Sequence, residues 1–232
     1  MKPYLVKTPK FIQRIFPERV WAFPNHKKEV YLTFDDGPIS EVTPWVLSVL
    51  KKHQAKATFF CIGENIKKYP EIFQQLISEG HSFGNHTFNH LNGWKSITKK
   101  YIENCVAFED ILRYALNDNL NSNHKPKPSN PNFALLTQNS KLFRPPYGRI
   151  SSKQAKTLQQ KEYKIIMWDV LSADFDQNIS EEKCLKNVIS NLQNGSIIVF
   201  HDSLKAEKKI RFVLPRVLEY LDENGYCCKA IR

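Results

Sequence analysis

Val30-Tyr31-Leu32-Thr33-Phe34-Asp35-Asp36-Gly37-Pro38 is the stretch on which the reading of this chain turns. Its first five residues are an apolar run of strand length, and the run stops at two adjacent carboxylates followed by Gly-Pro. Acids at the carboxyl end of a strand stand where parallel α/β folds place their active sites. Neighbouring carboxylates repel, so the pair must be exposed, share a proton, or be neutralised by a bound cation. By itself, Asp35-Asp36-Gly37-Pro38 reads equally well as a plain turn.

Working outward, runs of strand length recur at Ala57 to Ile62, near Phe83, near Phe143, at Lys164 to Trp168, Ser196 to Phe200 and Cys227 to Ile231. Between them lie helical patterns. Thr43-Pro44, read as a cap followed by a first-turn proline, opens one that continues through Trp45, Val46, Val49 and Leu50. Pro70 opens another with Ile72, Phe73, Leu76 and Ile77 on one face, ending before Gly80. Helices are also expected over about 98 to 116, 152 to 161, 180 to 193 and 208 to 223. Strands alternating with helices imply parallel pairing through right-handed crossovers. About seven such units point to an α/β fold, an incomplete (β/α) barrel, although periodicity alone does not separate it from an open sheet.

A chain of 232 residues, 41% of them hydrophobic, can bury one substantial core, so a single domain is expected over 1–232. Residues 1–28 read as a basic N-terminal extension, and 117–141, rich in Asn, Ser, Pro and Lys, as an exposed polar loop insertion. The net charge of +11 favours anionic partners such as acidic glycans or other anionic polymers without choosing among them. No clustered basic helix or recognised motif points to specific nucleic-acid binding. Five cysteines, odd in number and mostly far apart, do not make a disulfide framework, and no Cys-x-x-Cys supports a thiolate metal site. No export signal and no transmembrane run is visible, so the cytoplasm is expected, with envelope association open through the basic, aromatic start. Oligomeric state is not legible.

Two histidines sharpen the meaning of the paired acids. His86 and His90 are four residues apart, which puts both imidazoles on one face if the segment winds into a helical turn, a common way of offering two nitrogens to one metal. With Asp36 they make a two-histidine, one-carboxylate facial set that leaves positions open for water and substrate. Three more segments end strands. Arg144-Pro145-Pro146-Tyr147-Gly148 pairs a stiff turn with a guanidinium able to hold a carboxylate. Trp168-Asp169-Val170-Leu171-Ser172-Ala173-Asp174-Phe175 offers two acids, either able to orient an imidazole. Ile197-Ile198-Val199-Phe200-His201-Asp202 is a buried-type strand that ends in a histidine, with Asp202 as a possible capping partner for it.

In this order and at these strand ends, the five segments resemble the NodB-homology polysaccharide deacetylases, carbohydrate esterase family four, over roughly residues 28 to 231. The resemblance implies a distorted (β/α) barrel and a hydrolase that removes acetyl groups from N-acetylglucosamine-type units of a glycan. It implies a divalent ion on Asp36, His86 and His90, usually Zn2+ but also Co2+, Ni2+ or Mn2+, with Asp35 as general base and Arg144 orienting it. The backbone N–H of Tyr147 would help stabilise the oxyanion. His201, tuned by Asp174, would protonate the leaving amine, and Pro146, Tyr147, Val199 and Phe200 would contact substrate. The chemistry is self-consistent, since an amide nitrogen leaves poorly until protonated and histidine can supply that proton near neutral pH. Leu171 and Phe175 depart from the family pattern, standing where its fourth motif usually has an acid and a tryptophan. Hydrolysis of acetyl esters or non-sugar amides is the nearest alternative. A glycan-binding module that kept the metal site is another, against which every implied catalytic residue is present.

Overall fold

The computed structural model describes residues 4–24, 26–115 and 141–232, so the expected polar insertion lies outside the described residues apart from Lys141. The strands are β1 (Glu29–Asp35), β2 (Ala57–Cys61), β3 (Ser82–Asn85), β4 (Leu142–Phe143), β5 (Lys164–Ile165), β6 (Val170–Leu171), β7 (Ile197–His201) and β8 (Cys227–Cys228). They pair in the order β5-β4-β3-β2-β1-β7-β6, every pairing parallel, with β8 joined to the start of β1. The result is a curled, incomplete α/β barrel.

Alternation along β1 sorts its side chains into two environments. Val30, Leu32 and Phe34 enter a core between sheet and helices, where Phe34 stacks on Phe59 and Phe200 at ring separations of 4.9 and 5.9 Å. That layer is covered by α2 (Thr43–Lys52), α4 (Pro70–Ser78), α7 (Glu181–Ile189) and α8 (Glu207–Glu223). A second layer packs Phe143 and Ile165 against α5 (Thr98–Ala115) and α6 (Ser152–Gln159), the latter opened by a reciprocal Ser151–Gln154 capping box. Inside the barrel a smaller cluster of Phe60, Leu142, Ile166, Ile197 and Ile231 forms the floor beneath the strand ends.

Several expectations need correction. The run Lys164 to Trp168 is strand only to Ile165; pairing resumes separately at Val170–Leu171, because the chain must cross from one edge of the sheet to the other. The run Cys227 to Ile231 yields only the two residues of β8, off the main path. Two short helices were not foreseen, α1 (Lys10–Ile15) and α3 (Gly63–Lys68), each too brief for a clear period. Thr43 does not cap α2 from outside. It sits within the first turn, its hydroxyl taken by Ile39 N and Asp202.

The N-terminal segment is part of the fold rather than an appendage. Thr8 N–H donates to Asp169 O, Leu171 N–H to Val6 O, and Lys7 forms a 2.7 Å ion pair with buried Asp169. Farther on, Val20 N–H donates to Ile165 O, and Val20 O accepts from Met167 N–H. The segment therefore covers both free edges of the sheet, at β6 and at β5, which satisfies backbone groups that would otherwise be exposed. Among the described residues no helix is long and apolar enough to cross a membrane.

Candidate active site

Register brings the chemistry together. Asp35 lies opposite Phe60 on one side and His201 on the other, and Cys61 lies opposite Asn85, which lies opposite Phe143. The next residues in the chain, Asp36, His86 and Arg144, therefore leave the sheet at one level. Asp36 has φ 84° and turns its carboxylate back over the barrel mouth. The turn is fixed from beneath: Asp202 accepts from Gly37 N at 3.0 Å and Thr43 Oγ1 at 2.6 Å, and a Cβ at Gly37 would run into that carboxylate. Burial pushes Asp202 up to about 8 against the pull of those hydrogen bonds. Asn65 Nδ2 holds the Asp36 carbonyl at 2.7 Å.

His86 and His90 do converge, but not on a helix. They flank a turn in which Thr87 and His90 have φ 66° and 58°, tied by Thr87 N–H to Asn85 Oδ1 and Leu91 N–H to Thr87 Oγ1. The i,i+4 spacing succeeds through a left-handed residue at each end of the turn rather than through helical periodicity. His86 Nδ1 lies 2.8 Å from Arg144 O; a carbonyl only accepts, so Nδ1 carries the proton and Nε2 presents a lone pair. His86 Nε2 and His90 Nε2 lie 3.7 and 3.3 Å from Asp36 Oδ1, and one ligand atom from each residue falls within 4.8 Å of the others. Burial above all holds both imidazoles below the ordinary histidine range, so they are neutral near pH 7. Among the described residues, buried Asp36 Oδ1 has no hydrogen-bond partner. A buried carboxylate oxygen with no hydrogen-bond partner among the described residues and two imidazoles converging on it fit a divalent cation.

Asp35 stands beside this set, buried, and pushed upward chiefly by that burial. Arg144 opposes the shift. It is 0% exposed, and its Nη1 donates to Asp35 Oδ1 and Thr33 Oγ1, each at 2.7 Å. Nε and Nη2 donate to Ile166 O and Met167 O, and the guanidinium lies 4.1 Å from the Phe60 ring centroid. Gly84 makes room for that ring, since a Cβ there would strike it. A buried charge needs this degree of satisfaction.

On the other side, His201 Nδ1 lies 2.8 Å from Asp174 Oδ1, while Asp174 Oδ2 accepts the His201 N–H at 2.7 Å. Burial works against the imidazolium, but Asp174 outweighs it and raises His201 to about 9. Ala173, at φ 62°, makes the reversal that aims Asp174. Phe175 meets the His201 ring edge-on at 5.1 Å and in turn meets Tyr4 at 5.6 Å, whose hydroxyl donates to Asp176 Oδ2 at 2.7 Å. Of the two acids in this segment, Asp174 takes the imidazole; Asp169 is engaged by Lys7, Ser196 and Ile197 instead.

Tyr147, at φ 60° and 60% exposed, sets its ring 4.5 Å from His90, and buried Pro146 precedes it in the same turn. Val199 is buried on the face of β7 that carries His201, and Leu171 is its register partner on β6. Phe200 is on the opposite face, stacked on Phe34 beneath the helices, because strand alternation sends it there. The expectation that Phe200 walls the substrate pocket is therefore corrected. Asp202, read as a possible cap on His201, instead braces the Asp36 turn. Asn65, and the part of Thr43 in holding Asp202, escaped notice because each lies far in sequence from the group it binds.

The family model for polysaccharide deacetylase matches residues 23–128. A peptidoglycan-N-acetylglucosamine deacetylase of Bacillus cereus is 37% identical over 180 residues, covering 78% of this chain and 58% of that protein. A second Bacillus cereus protein of the same name is 32% identical over 207 residues, covering 89% of this chain and 87% of its own length. Among solved structures, the Bc1960 peptidoglycan N-acetylglucosamine deacetylase superposes with a TM-score of 0.79 at 31% identity, covering 97% of this chain and 95% of that one. With the strand-end geometry, these likenesses establish that the chain belongs to the polysaccharide deacetylase family.

Proposed function

We propose that this protein hydrolyses the N-acetyl amide of N-acetylglucosamine-type units in a glycan, whether peptidoglycan, a chitin-like oligomer or an exopolysaccharide, and releases acetate. The observation that carries the reading is the convergence of Asp36, His86 and His90, flanked by Asp35 and His201 in register on adjacent strands. Asp36, His86 and His90 would hold one divalent ion, Zn2+ or one of Co2+, Ni2+ and Mn2+. Bound there, it supplies Lewis-acid polarisation of the acetyl carbonyl and acidifies the attacking water.

The chain's own groups do the rest. Arg144 engages Asp35 Oδ1, which leaves Asp35 Oδ2 to take the proton of the attacking water. The Tyr147 N–H lies on the turn beside His90 and serves the developing oxyanion. Asp174 engages Nδ1 of His201, so Nε2 delivers the proton that the amine needs in order to leave. Pro146, Tyr147 and Val199 border the space between these groups.

The test is acetate release from N-acetylglucosamine oligomers and from peptidoglycan, using chelated protein reloaded with zinc or cobalt. Metal-restored release is expected, and Asp35→Asn should keep its metal while losing about a hundredfold or more in kcat. Full activity in that variant, or no release with any metal, overturns the reading.

A further inference from the structure

Trp94 is 67% exposed, an unusual position for an indole, yet the turn that carries it is closely fastened. Asn92 Oδ1 accepts from Trp94 N–H, and Ser96 Oγ donates to Asn92 O. Gln154, itself buried, donates to Gly93 O and Ser96 O from α6. Trp94 Nε1 reaches Ile150 O at 3.3 Å, and the Arg149 guanidinium lies 5.2 Å from the indole centroid. The turn is also pressed onto the 149–150 backbone, because a Cβ at Gly93 would collide with Arg149 O. An apolar plate is thus held in solvent by hydrogen bonds, a close backbone approach and a cation–π contact.

Its place ties it to the reaction centre. Trp94 is four residues past His90, Arg149 is two past Tyr147, and the His90 and Tyr147 rings are 4.5 Å apart. The two turns that border the cation-holding set are therefore the same two that pack together to present Trp94.

We infer that Trp94, backed by Arg149, is a stacking subsite for a second pyranose ring of an oligomeric glycan whose acetylated unit lies at the reaction centre. This inference rests on the glycan reading above. The C–H face of a pyranose carries partial positive charge and suits the negative face of an indole, while the sugar hydroxyls stay in water. A plate fixed before binding loses little entropy when the ring lands on it.

The experiment compares kcat/KM for acetate release from the N-acetylglucosamine tetramer and dimer in the wild type, Trp94→Ala and Trp94→Tyr, with thermal melts to confirm folding. Trp94→Ala should lower the tetramer-to-dimer ratio about tenfold, chiefly through KM for the tetramer, and Trp94→Tyr should restore most of it. An unchanged ratio, or a loss shared equally by both substrates, overturns the inference. If the wild type releases acetate from neither, it is the glycan-deacetylase reading that fails; calorimetric titration with the tetramer then decides the subsite, with about tenfold weaker binding by Trp94→Ala supporting it and equal binding overturning it.

Discussion

The two flanks of the site are held in different ways. The flank of Asp36, His86 and His90 rises from the middle of the sheet, where β1, β2 and β3 pair along consecutive residues and Asp202 braces the turn. On the other flank His201 ends β7, itself paired with β1, but its partner Asp174 stands beyond the edge strand β6, on a loop whose Phe175 leans on Tyr4 in the N-terminal segment. The bond that fastens this second support, Tyr4 to Asp176, spans 172 residues of sequence. One flank is set wholly by local turns hung on a continuous sheet; on the other the histidine hangs on the sheet while its acid rides on a loop strapped from the far end of the chain. Damage should therefore be all-or-none on the first and graded on the second.

The sharpest break to attempt is His86→Ala. It removes one of three converging side chains, the imidazole fixed by Arg144 O, so metal content and acetate release should fall together. Since a bound cation contributes several kcal/mol of charge stabilisation, the loss in kcat/KM should be roughly a thousandfold or more. Metal analysis beside the acetate assay checks it. A variant that kept its metal and most of its activity would abolish the contrast between the flanks.

The same contrast explains what the sequence disclosed. The barrel was legible because apolar runs alternate with helical patterns, and the grouping of Asp36, His86 and His90 because a doublet at a strand end and an i,i+4 pair are signals carried within a few residues. Even so, the helical turn that the spacing would fit does not form: Thr87 and His90 adopt positive φ, which nothing in their identities announces. The other flank was legible only by resemblance, since the choice of Asp174 over Asp169 depends on the reversal at Ala173 and on Lys7 claiming Asp169. Phe200 shows the limit of motif transfer. Its neighbour His201 faces the mouth, so alternation commits Phe200 to the helix layer. The structural role of residues 4–24 was hidden because backbone pairing to sheet edges leaves no mark on composition.

An intermediate effect is expected from Asp174→Asn. His201 is raised from 6.5 to about 9, so it holds its proton throughout neutral pH. The sign follows from linkage: a raised folded-state value means that the pair's contribution is complete below 6.5 and is lost as pH climbs through about 9. Without the carboxylate, burial is opposed only by the more distant Asp36 and Asp35, and the imidazole titrates earlier. If the protonated form donates to the leaving amine, the alkaline limb of the kcat profile moves to lower pH and kcat at pH 8 drops about a hundredfold. Metal content should stay at the wild-type level. A profile that fell in height without moving would mean that Asp174 only props the loop.

The smallest effect sharpens the comparison most, because it probes the strap without touching a reacting group. Tyr4→Ala removes both the ring contact with Phe175 and the hydroxyl bond to Asp176, whereas Tyr4→Phe removes only the latter. A partly exposed hydrogen bond is worth about 1 kcal/mol, and an edge-to-face ring pair a similar amount. If Phe175 holds the His201 ring in place through its 5.1 Å edge contact, Tyr4→Ala should lower kcat several-fold, by roughly three to ten, with KM and metal content unchanged. Tyr4→Phe should recover most of that loss, because the ring and not the hydroxyl reaches Phe175. A purely structural role would lower the melting temperature in both variants and leave kcat per folded molecule intact, so melts and kinetics on the same samples separate the two. Equal kcat in all three proteins would show that the strap only seals the sheet edge, and the two flanks would then differ in construction but not in what they ask of the N-terminal segment.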